Sequence, residues 1–488
     1  MKQKILRAGI AALSLATSLV GVAKADTGYT ATFSTAVAYM NVGTGTAHMT
    51  LSYYPENTVT PINITLADLP AGGSSTIFAS SVGTLPDGFK GSGVISSDQP
   101  IVATLVQISS GSGTTVKNRP LSNGFASGAT GVLVATVLKE RNNTNTRFAV
   151  QNAEASGNID VTVRFYSASP FALVSTQTAT GIPAGAAKYF DVGTIASIPS
   201  NFSGSARVDA VKSGTSTAAV VAVTALELGT ANANASSFEG TSGGANTIYM
   251  PSALCNAPGE SNTAYAIQNA SDSASASVTV SYRSLAGAEV ARKDATIAAG
   301  GKLSSVACSD GFPNGTSGSA VITSSGAPIV AMLKVYNQTP PNGAVYGLYT
   351  AALGATSGSN KLYAPFVRWT DTQWTATTRQ RSYIAIQNIG GALNAGQVTV
   401  KFLDKNGAQV GSTVSNAAAL GAGQKFSVNP SQAGSAATEF GYYSDGTSGG
   451  GMLIEGPSGS QLVAVVRVAT YNADNGAMFG EDYLATAP

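Results

Sequence analysis

Charged residues are scarce in this 488-residue chain, at 11% of the sequence, compared with roughly 25% in an average soluble domain. Histidine occurs once, as His48, and cysteine occurs twice. The shortage of both residue types excludes a histidine-rich or cysteine-rich metal centre. The low charge does not indicate disorder, because 43% of the residues are hydrophobic and the net charge is close to zero.

The first 25 residues have the pattern of a secretory signal peptide. Three basic residues precede an apolar stretch over 8–23, which ends in Ala23-Lys24-Ala25, a small-x-small cleavage pattern. A membrane anchor is the alternative, but this stretch is short for the roughly 20 residues that a spanning helix needs. We therefore expect residues 1–25 to be removed on export.

Removal of this leader changes the sign of the net charge. The leader contains no acidic residue and four of the 27 basic residues, namely Lys2, Lys4, Arg7 and Lys24. The mature chain then has 23 basic and 25 acidic residues, so the basic character expected of a nucleic-acid-binding protein is missing. No later segment is long and apolar enough to span a bilayer as a helix. We expect a secreted or extracellular cell-surface protein with no nucleic-acid partner and no transmembrane segment in the mature chain.

The two cysteines, Cys255 and Cys308, are predicted to form a disulfide, because an isolated pair in an exported protein is most often oxidised. A metal site is the first alternative, but it lacks ligands, since His48 lies about two hundred residues away. A thiol nucleophile is the second, but it lacks a nearby base.

Six landmarks recur in the same order, four times along the chain. The first is an apolar segment that ends in Gln-Asn or a variant of it, with asparagines spaced 111, 117 and 119 residues apart: Asn41, Asn152, Asn269 and Asn388. Alternating strands follow at 49–51, 161–163, 278–280 and 398–400, each with an aromatic residue after it: Tyr53, Phe165, Tyr282 and Phe402. Next come glycine turns at Gly72, Gly185, Gly300 and Gly423, and small-residue strands at 91–95, 204–208, 318–322 and 451–454. Apolar strands at 101–103, 220–222, 329–331 and 462–464 complete the set. The chain is therefore a tandem array of four units.

Each unit is predicted to be an antiparallel β-sandwich, because seven or eight short alternating runs separated by Gly, Asn, Asp or Pro fit into about 100 residues. We place the signal peptide at 1–25 and the four units at 26–130, 131–244, 245–358 and 359–488. With its leader, this array resembles the tandem immunoglobulin-like repeats of secreted bacterial surface proteins, such as adhesin stalks, surface-layer subunits and extracellular fibre proteins. The resemblance implies an all-β, extended chain of immunoglobulin-like β-sandwiches.

The recurrent residues favour structural roles. Asparagine at a strand end caps the following turn with its side chain, although a repeated sugar-binding or ion-binding amide is the alternative. Recurrent Gly-Ser pairs are typical of strands whose backbones approach closely, and no helix follows them to bind phosphate.

No catalytic centre is predicted. His48 alternates with Met49 and Leu51, which places it on the polar face of a strand, and no acidic residue recurs at the landmarks. Loops that contain aspartate and asparagine lack the ligand spacing of a calcium site. We therefore expect neither an enzyme nor a cofactor.

The fourth unit contains an insertion that could bind a ligand or partner. It holds both tryptophans, Trp369 and Trp374, beside Arg368 and Arg379. Tryptophan and arginine are enriched at binding hot spots, but these indoles could instead cover the open end of the last sandwich. Because the surface is rich in hydroxyl groups and poor in charge, copies can pack closely. The sequence thus predicts a structural protein that self-associates or adheres, with self, cell-envelope or glycan contacts as its partners.

Overall fold

The computed structural model describes residues 32–488, apart from 111–115, 117, 169, 233, 258–260, 338–346, 372–377, 435–438 and 473–477. The predicted signal peptide lies outside the described residues. Within them the chain forms eight antiparallel sheets of three to five strands, with short 3-10 turns as its only helical segments. The predicted all-β fold is confirmed.

The strands are numbered in chain order. Unit 1 contains β1 (Thr32–Asn41), β2 (Met49–Pro55), β3 (Ile62–Thr65), β4 (Ser74–Phe78), β5 (Gly91–Ser97), β6 (Ile101–Ser110) and β7 (Leu121–Asn123). Unit 2 contains β8 (Val132–Lys139), β9 (Thr144–Asn152), β10 (Ile159–Ala168), β11 (Phe171–Ile182), β12 (Ala187–Asp191), β13 (Phe202–Lys212), β14 (Val221–Gly229), β15 (Ala235–Glu239) and β16 (Thr241–Ser242). Unit 3 contains β17 (Thr247–Cys255), β18 (Ser261–Asn269), β19 (Ala276–Ser284), β20 (Glu289–Ile297), β21 (Lys302–Val306), β22 (Thr316–Ser325), β23 (Ile329–Asn337) and β24 (Tyr349–Leu353). Unit 4 contains β25 (Lys361–Ala364), β26 (Thr378–Asn388), β27 (Thr399–Asp404), β28 (Val414–Ser415), β29 (Lys425–Val428), β30 (Gly450–Glu455), β31 (Leu462–Asn472) and β32 (Met478–Leu484).

Units 2, 3 and 4 share one topology. When their strands are numbered by position from one to eight, one sheet has the order 1-6-3-4 and the facing sheet has the order 5-2-7-8. Unit 2 adds β16 beside its first strand. In unit 1 the strands β1 to β7 occupy positions two to eight, so its first sheet has only the order 6-3-4 among the described residues. The units therefore share the two-sheet architecture of immunoglobulin-like domains, with a strand order of their own.

The recurrent asparagine joins three parts of each sandwich. In unit 4 the buried Asn388 donates from Nδ2 to the carbonyls of Gly391 and Leu420, both at 2.8 Å, and accepts from the Gly390 N–H at 3.0 Å. Asn41, Asn152 and Asn269 make the same three kinds of bond. The predicted turn-capping role is thus confirmed, and both hydrogens of the amide are used within the sandwich.

The glycine turns join each unit to the one before it. All four glycines have positive φ, and a β-carbon there would press on a side chain of the preceding unit: Gly185 on Tyr54, Gly300 on Phe171, Gly423 on Arg283 and Gly72 on Leu403. The last of these pairs joins unit 1 to unit 4. Through these turns each unit packs against two others, and the four form a closed ring.

The recurrent Gly-Ser pair belongs to the same joints. A β-carbon at Gly204 would lie 2.0 Å from the Tyr166 carbonyl oxygen, so the glycine permits close approach of two strands, as predicted. The neighbouring Ser205 hydroxyl donates to the Gly300 carbonyl of the next unit at 3.2 Å. Equivalent bonds run from Ser92 to Gly185 and from Ser319 to Gly423.

The eighth strands of the units, β7, β15, β24 and β32, lie side by side at the ring centre. Hydrogen bonds join the four units in turn at this centre, and the last of them returns to the first unit. Most of the bonded residues lie on the eighth strands, whereas Glu227 lies on the neighbouring strand β14. The Asn123 N–H donates to Glu239, Tyr349 donates to Glu227, Thr350 donates to Asp482, and Asn123 Nδ2 donates to the Leu484 carbonyl. The expected extended array is therefore wrong, because contacts at the glycine turns and between the eighth strands join unit 4 back to unit 1.

The cysteine prediction is confirmed by a Cys255–Cys308 disulfide in unit 3. It links the end of β17 to the turn after β21, across 53 residues of sequence. Both strands lie at sheet edges, so the bond holds one end of this sandwich together.

Candidate functional site

The insertion in unit 4 divides into a buried part and an exposed part. Arg368 is only 3% exposed, and its guanidinium donates to the Thr76 hydroxyl of unit 1 at 3.3 Å and to the Val367 carbonyl at 2.9 Å. It also lies over the Phe366 ring at 4.2 Å. Burial lowers the pKa of Arg368 to about 10. The sequence placed Arg368 with the ligand-binding residues, whereas its side chain belongs to the joint between units 1 and 4.

Trp369 is half-buried at the margin of the unit 4 core. Its backbone exchanges two hydrogen bonds with Phe440, and its ring meets Tyr383 edge-to-face at 6.0 Å. The Arg381 guanidinium covers the indole at 4.5 Å. These contacts hold the ring in place, and the residue as a whole remains partly exposed.

Exposed groups surround this indole. Arg379 is exposed and lies 3.9 Å from Asp371, which also accepts from Arg381. Tyr383 is 40% exposed on the same face of β26. We call Trp369, Asp371, Arg379, Arg381 and Tyr383 the aromatic–arginine patch. Trp374 lies outside the described residues. Exposed rings and guanidinium groups of this kind can stack on sugars or on partner side chains.

His48 lies immediately before β2 with an exposed side chain, as the alternation predicted. Its Nδ1 is 2.7 Å from Asp98, and its Nε2 is 3.7 Å from Asp68. The hydrogen bond to Asp98 and the charge of Asp68 raise the pKa of His48. The backbone N–H of His48, which also donates to Asp98, and then the imidazole bond lower the pKa of Asp98. The two carboxylates thus favour the protonated imidazole.

Buried charges at the unit joints were missed by the sequence reasoning. Glu227 is fully buried and receives Lys334 at 2.6 Å and Tyr349 at 2.8 Å from unit 3. Burial raises the pKa of Glu239 to about 7. The signal was present in the sequence: Lys334 and Arg467 are single charges within otherwise apolar runs. Glu227 and Glu239 thus bond across unit boundaries, whereas Arg467 pairs with Asp482 inside unit 4.

Two lysines reach across unit boundaries. Lys302 Nζ enters unit 2 and donates to Thr136 Oγ1 at 2.8 Å and to Ser203 Oγ at 3.3 Å. Lys425 follows the equivalent turn and donates to the Pro251 carbonyl of unit 3 at 3.2 Å. Burial lowers the pKa of each amine to about 7.

The outer edge strands differ in how they are protected. At position four, β3 and β28 are four and two residues long, and β20 carries Glu289, Arg292, Lys293 and Asp294. By contrast, β11 is twelve residues long without a single charge, and Leu173 on it is 54% exposed. Short length and charge are two of the usual protections against edge pairing, so by these two criteria β11 is the least protected of the four strands at position four.

Within the described ranges no helix is long and apolar enough to cross a membrane. The described residues also contain no group of three or more His, Cys, Asp or Glu side chains placed to hold a metal ion. No protein-family model matches the chain, and no curated protein sequence matches it.

Proposed function

We propose that this chain is a non-enzymatic structural protein, secreted or held at the cell surface, which self-associates or presents an adhesive surface. The observation that carries the proposal is β11, an uncharged edge strand of twelve residues. Its N–H and C=O groups on the open side offer a template for main-chain pairing with a second copy. Among the described residues β10 is its only strand partner.

The use of the recurrent residues supports the same proposal. The asparagines cap turns, the glycines make joints, and the serines bond across unit boundaries. The recurrent residues thus serve the fold of each unit and the joints between units. A rigid ring presents its outer edge strands at fixed positions, which suits ordered assembly on a surface.

Self-association is tested by placing a charge on the open edge. Thr178 is exposed on β11, and we expect Thr178→Lys to weaken association of the mature protein about tenfold or more, or about 1.4 kcal/mol. Thr296→Lys on the already charged β20 is the matched control and should leave association unchanged. Sedimentation velocity over a concentration series measures both. A wild-type protein that stays monomeric and binds neither cells nor glycans would refute the proposal.

The second candidate is binding of a carbohydrate or partner protein by the aromatic–arginine patch. It is favoured by the exposed Tyr383 and Arg379 near the partly exposed Trp369. Trp369→Ala together with Tyr383→Ala should then abolish binding to a glycan array or to cells while the self-association constant stays unchanged. Equal binding by the variant and the wild type would exclude this role.

A further inference from the structure

Unit 1 differs from the other units at one strand position. In units 2, 3 and 4 the first strand pairs antiparallel with the sixth, as β8 with β13, β17 with β22 and β25 with β30. In unit 1 the sixth strand is β5, and it forms the edge of its sheet. No described residue occupies the first-strand position beside it.

Several positions whose side chains are buried in units 2, 3 and 4 are partly or fully exposed in unit 1. Ile95 on β5 is half-buried. Its counterparts in the other units pair with the equivalent position of the third strand and are fully buried: Val208, Ile322 and Ile454. Gly93 is exposed, whereas Ala206, Ala320 and Met452 are buried. On the facing sheet Ile101 and Ala103 are also half-buried, and their counterparts are buried. We call Gly93, Ile95, Ile101 and Ala103, with the free edge of β5, the unit 1 groove.

The complete units show what fills the equivalent space. Opposite the counterparts of Ile95 and Gly93, the first strand places two buried apolar residues separated by one: Val132 and Val134 in unit 2, Ile248 and Met250 in unit 3, and Leu362 and Ala364 in unit 4. The filling is thus an extended strand, antiparallel to the sixth, with apolar side chains at alternate positions.

We propose that the unit 1 groove binds a β-strand of a second polypeptide, which pairs antiparallel with β5 and inserts two alternate apolar side chains between the sheets. Main-chain hydrogen bonds to β5 supply affinity, and the two inward side chains supply specificity, as in other cases of strand addition. The partner is defined by this pattern: an extended segment, apolar at every second residue.

The inference rests on the export that forms part of the proposed function. In unit 2 the residue that fills this space, Val132, precedes the recurrent asparagine by 20 residues, and in unit 3 Ile248 precedes it by 21. The same spacing from Asn41 reaches positions 20 and 21, which belong to the predicted leader. Removal of residues 1–25 would therefore remove the positions that correspond to Val132 and Ile248.

The test uses the mature protein and a synthetic peptide of residues 131–139, which contains the first strand of unit 2. The control peptide carries Val132→Asp and Val134→Asp. With the native peptide at about 100 times its Kd, amide exchange of residues 93–97 should slow about 100-fold where it proceeds by opening of unit 1. The control peptide should leave exchange unchanged. Equal effects of both peptides, or no effect of either, would overturn the inference.

A fusion protein provides a second test that does not depend on the solubility of the peptide. The segment 131–139 is joined by a flexible linker before Asp26 of the mature chain, which should raise the melting temperature and slow exchange of residues 93–97. An unchanged melting temperature and unchanged exchange would count against the groove. Protection of residues 93–97 equal to that of 206–210 in the untreated mature protein would show that its own residues fill the space, and would also overturn the inference.

Self-association of the same samples is measured separately by sedimentation. Peptide binding without self-association contradicts the assembly proposal and leaves the groove intact. Self-association without peptide binding contradicts the groove and leaves the assembly proposal intact. If the native peptide both binds and dissolves the oligomer, the bound strand comes from a second copy of this chain.

Discussion

The backbone N–H of Ser74 donates to the carbonyl of Lys405 at 3.2 Å, so the first and the last units are bonded directly. The neighbouring Gly73 and Asn406 form a β-bridge, and Arg368 donates to Thr76 across the same boundary. This fourth joint lacks the serine of the other three, because Gly451 occupies that position against Met40. Main-chain bonds and the buried guanidinium replace the missing hydroxyl.

The contribution of a glycine turn to the free energy of unfolding can be measured with a matched pair of substitutions. Gly185 and Gly214 both have positive φ, but a β-carbon at Gly185 would lie 2.5 Å from the Tyr54 ring and one at Gly214 would meet nothing. Gly214→Ala should therefore cost about 1–2 kcal/mol from backbone conformation alone. Gly185→Ala should cost roughly 1–3 kcal/mol more because it overpacks the joint. Urea unfolding measures both, and equal losses would show that the joint adapts to the extra methyl.

Removing one asparagine should unfold the turns that it joins. Asn388→Ala leaves the carbonyls of Gly391 and Leu420 and the N–H of Gly390 without their side-chain partner. The Leu420 carbonyl keeps its bond from the Leu393 N–H, so two groups are left without a partner among the described residues. At about 1–3 kcal/mol for each unsatisfied group, a loss of roughly 2–6 kcal/mol is expected. Asn394→Ala, at an exposed position in the same unit, is the control. A loss below 1 kcal/mol for Asn388→Ala would contradict the capping role.

Stability of the ring should rise between pH 7 and pH 10. Burial lowers the pKa of Lys302 to about 7, against about 10.4 in an unfolded chain. Between these values the unfolded state binds more protons, so a rise in pH stabilises the folded state. Lys302→Met should flatten the dependence of the urea midpoint on pH, and the exposed Lys212→Met controls for loss of one positive charge. A slope equal to that of the wild type would refute the assignment.

Reduction of the disulfide should destabilise unit 3. Opening a loop of 53 residues increases the entropy of the unfolded chain, which corresponds to about 4 kcal/mol. Thermal unfolding with and without reductant tests this, and Cys255→Ala with Cys308→Ala gives the same comparison without reductant. A transition unaffected by both treatments would contradict a stabilising role.

Much of the unit architecture follows from the sequence, because alternation and recurrence are local. The aromatic landmarks Tyr53, Phe165, Tyr282 and Phe402 all point into their cores. The register of one strand was missed: Val221, not Val220, pairs beside the recurrent asparagine of unit 2 and so corresponds to Ile101. Two adjacent valines look alike in sequence, whereas the hydrogen-bond ladder distinguishes them.

The ring could not be predicted, because its closure depends on contacts between residues far apart in the chain. Gly72 and Leu403 carry no mark of their proximity. The same holds at the candidate site: Trp369 and Arg379 were found from residue type, but the burial of Arg368 depends on Thr76 of another unit. Tyr383 was missed because its role comes from the edge-to-face contact with Trp369.

Closure of the ring has a consequence for how this gene can change. A linear array gains or loses a repeat at either end at little cost, since each unit needs only its neighbours. Here the turn of unit 1 is shaped for β27 of unit 4, and Asn123 is bonded to both β15 and β32. Duplication or deletion of one repeat would leave two mismatched faces, so the copy number should stay at four while the edge strands remain free to diverge.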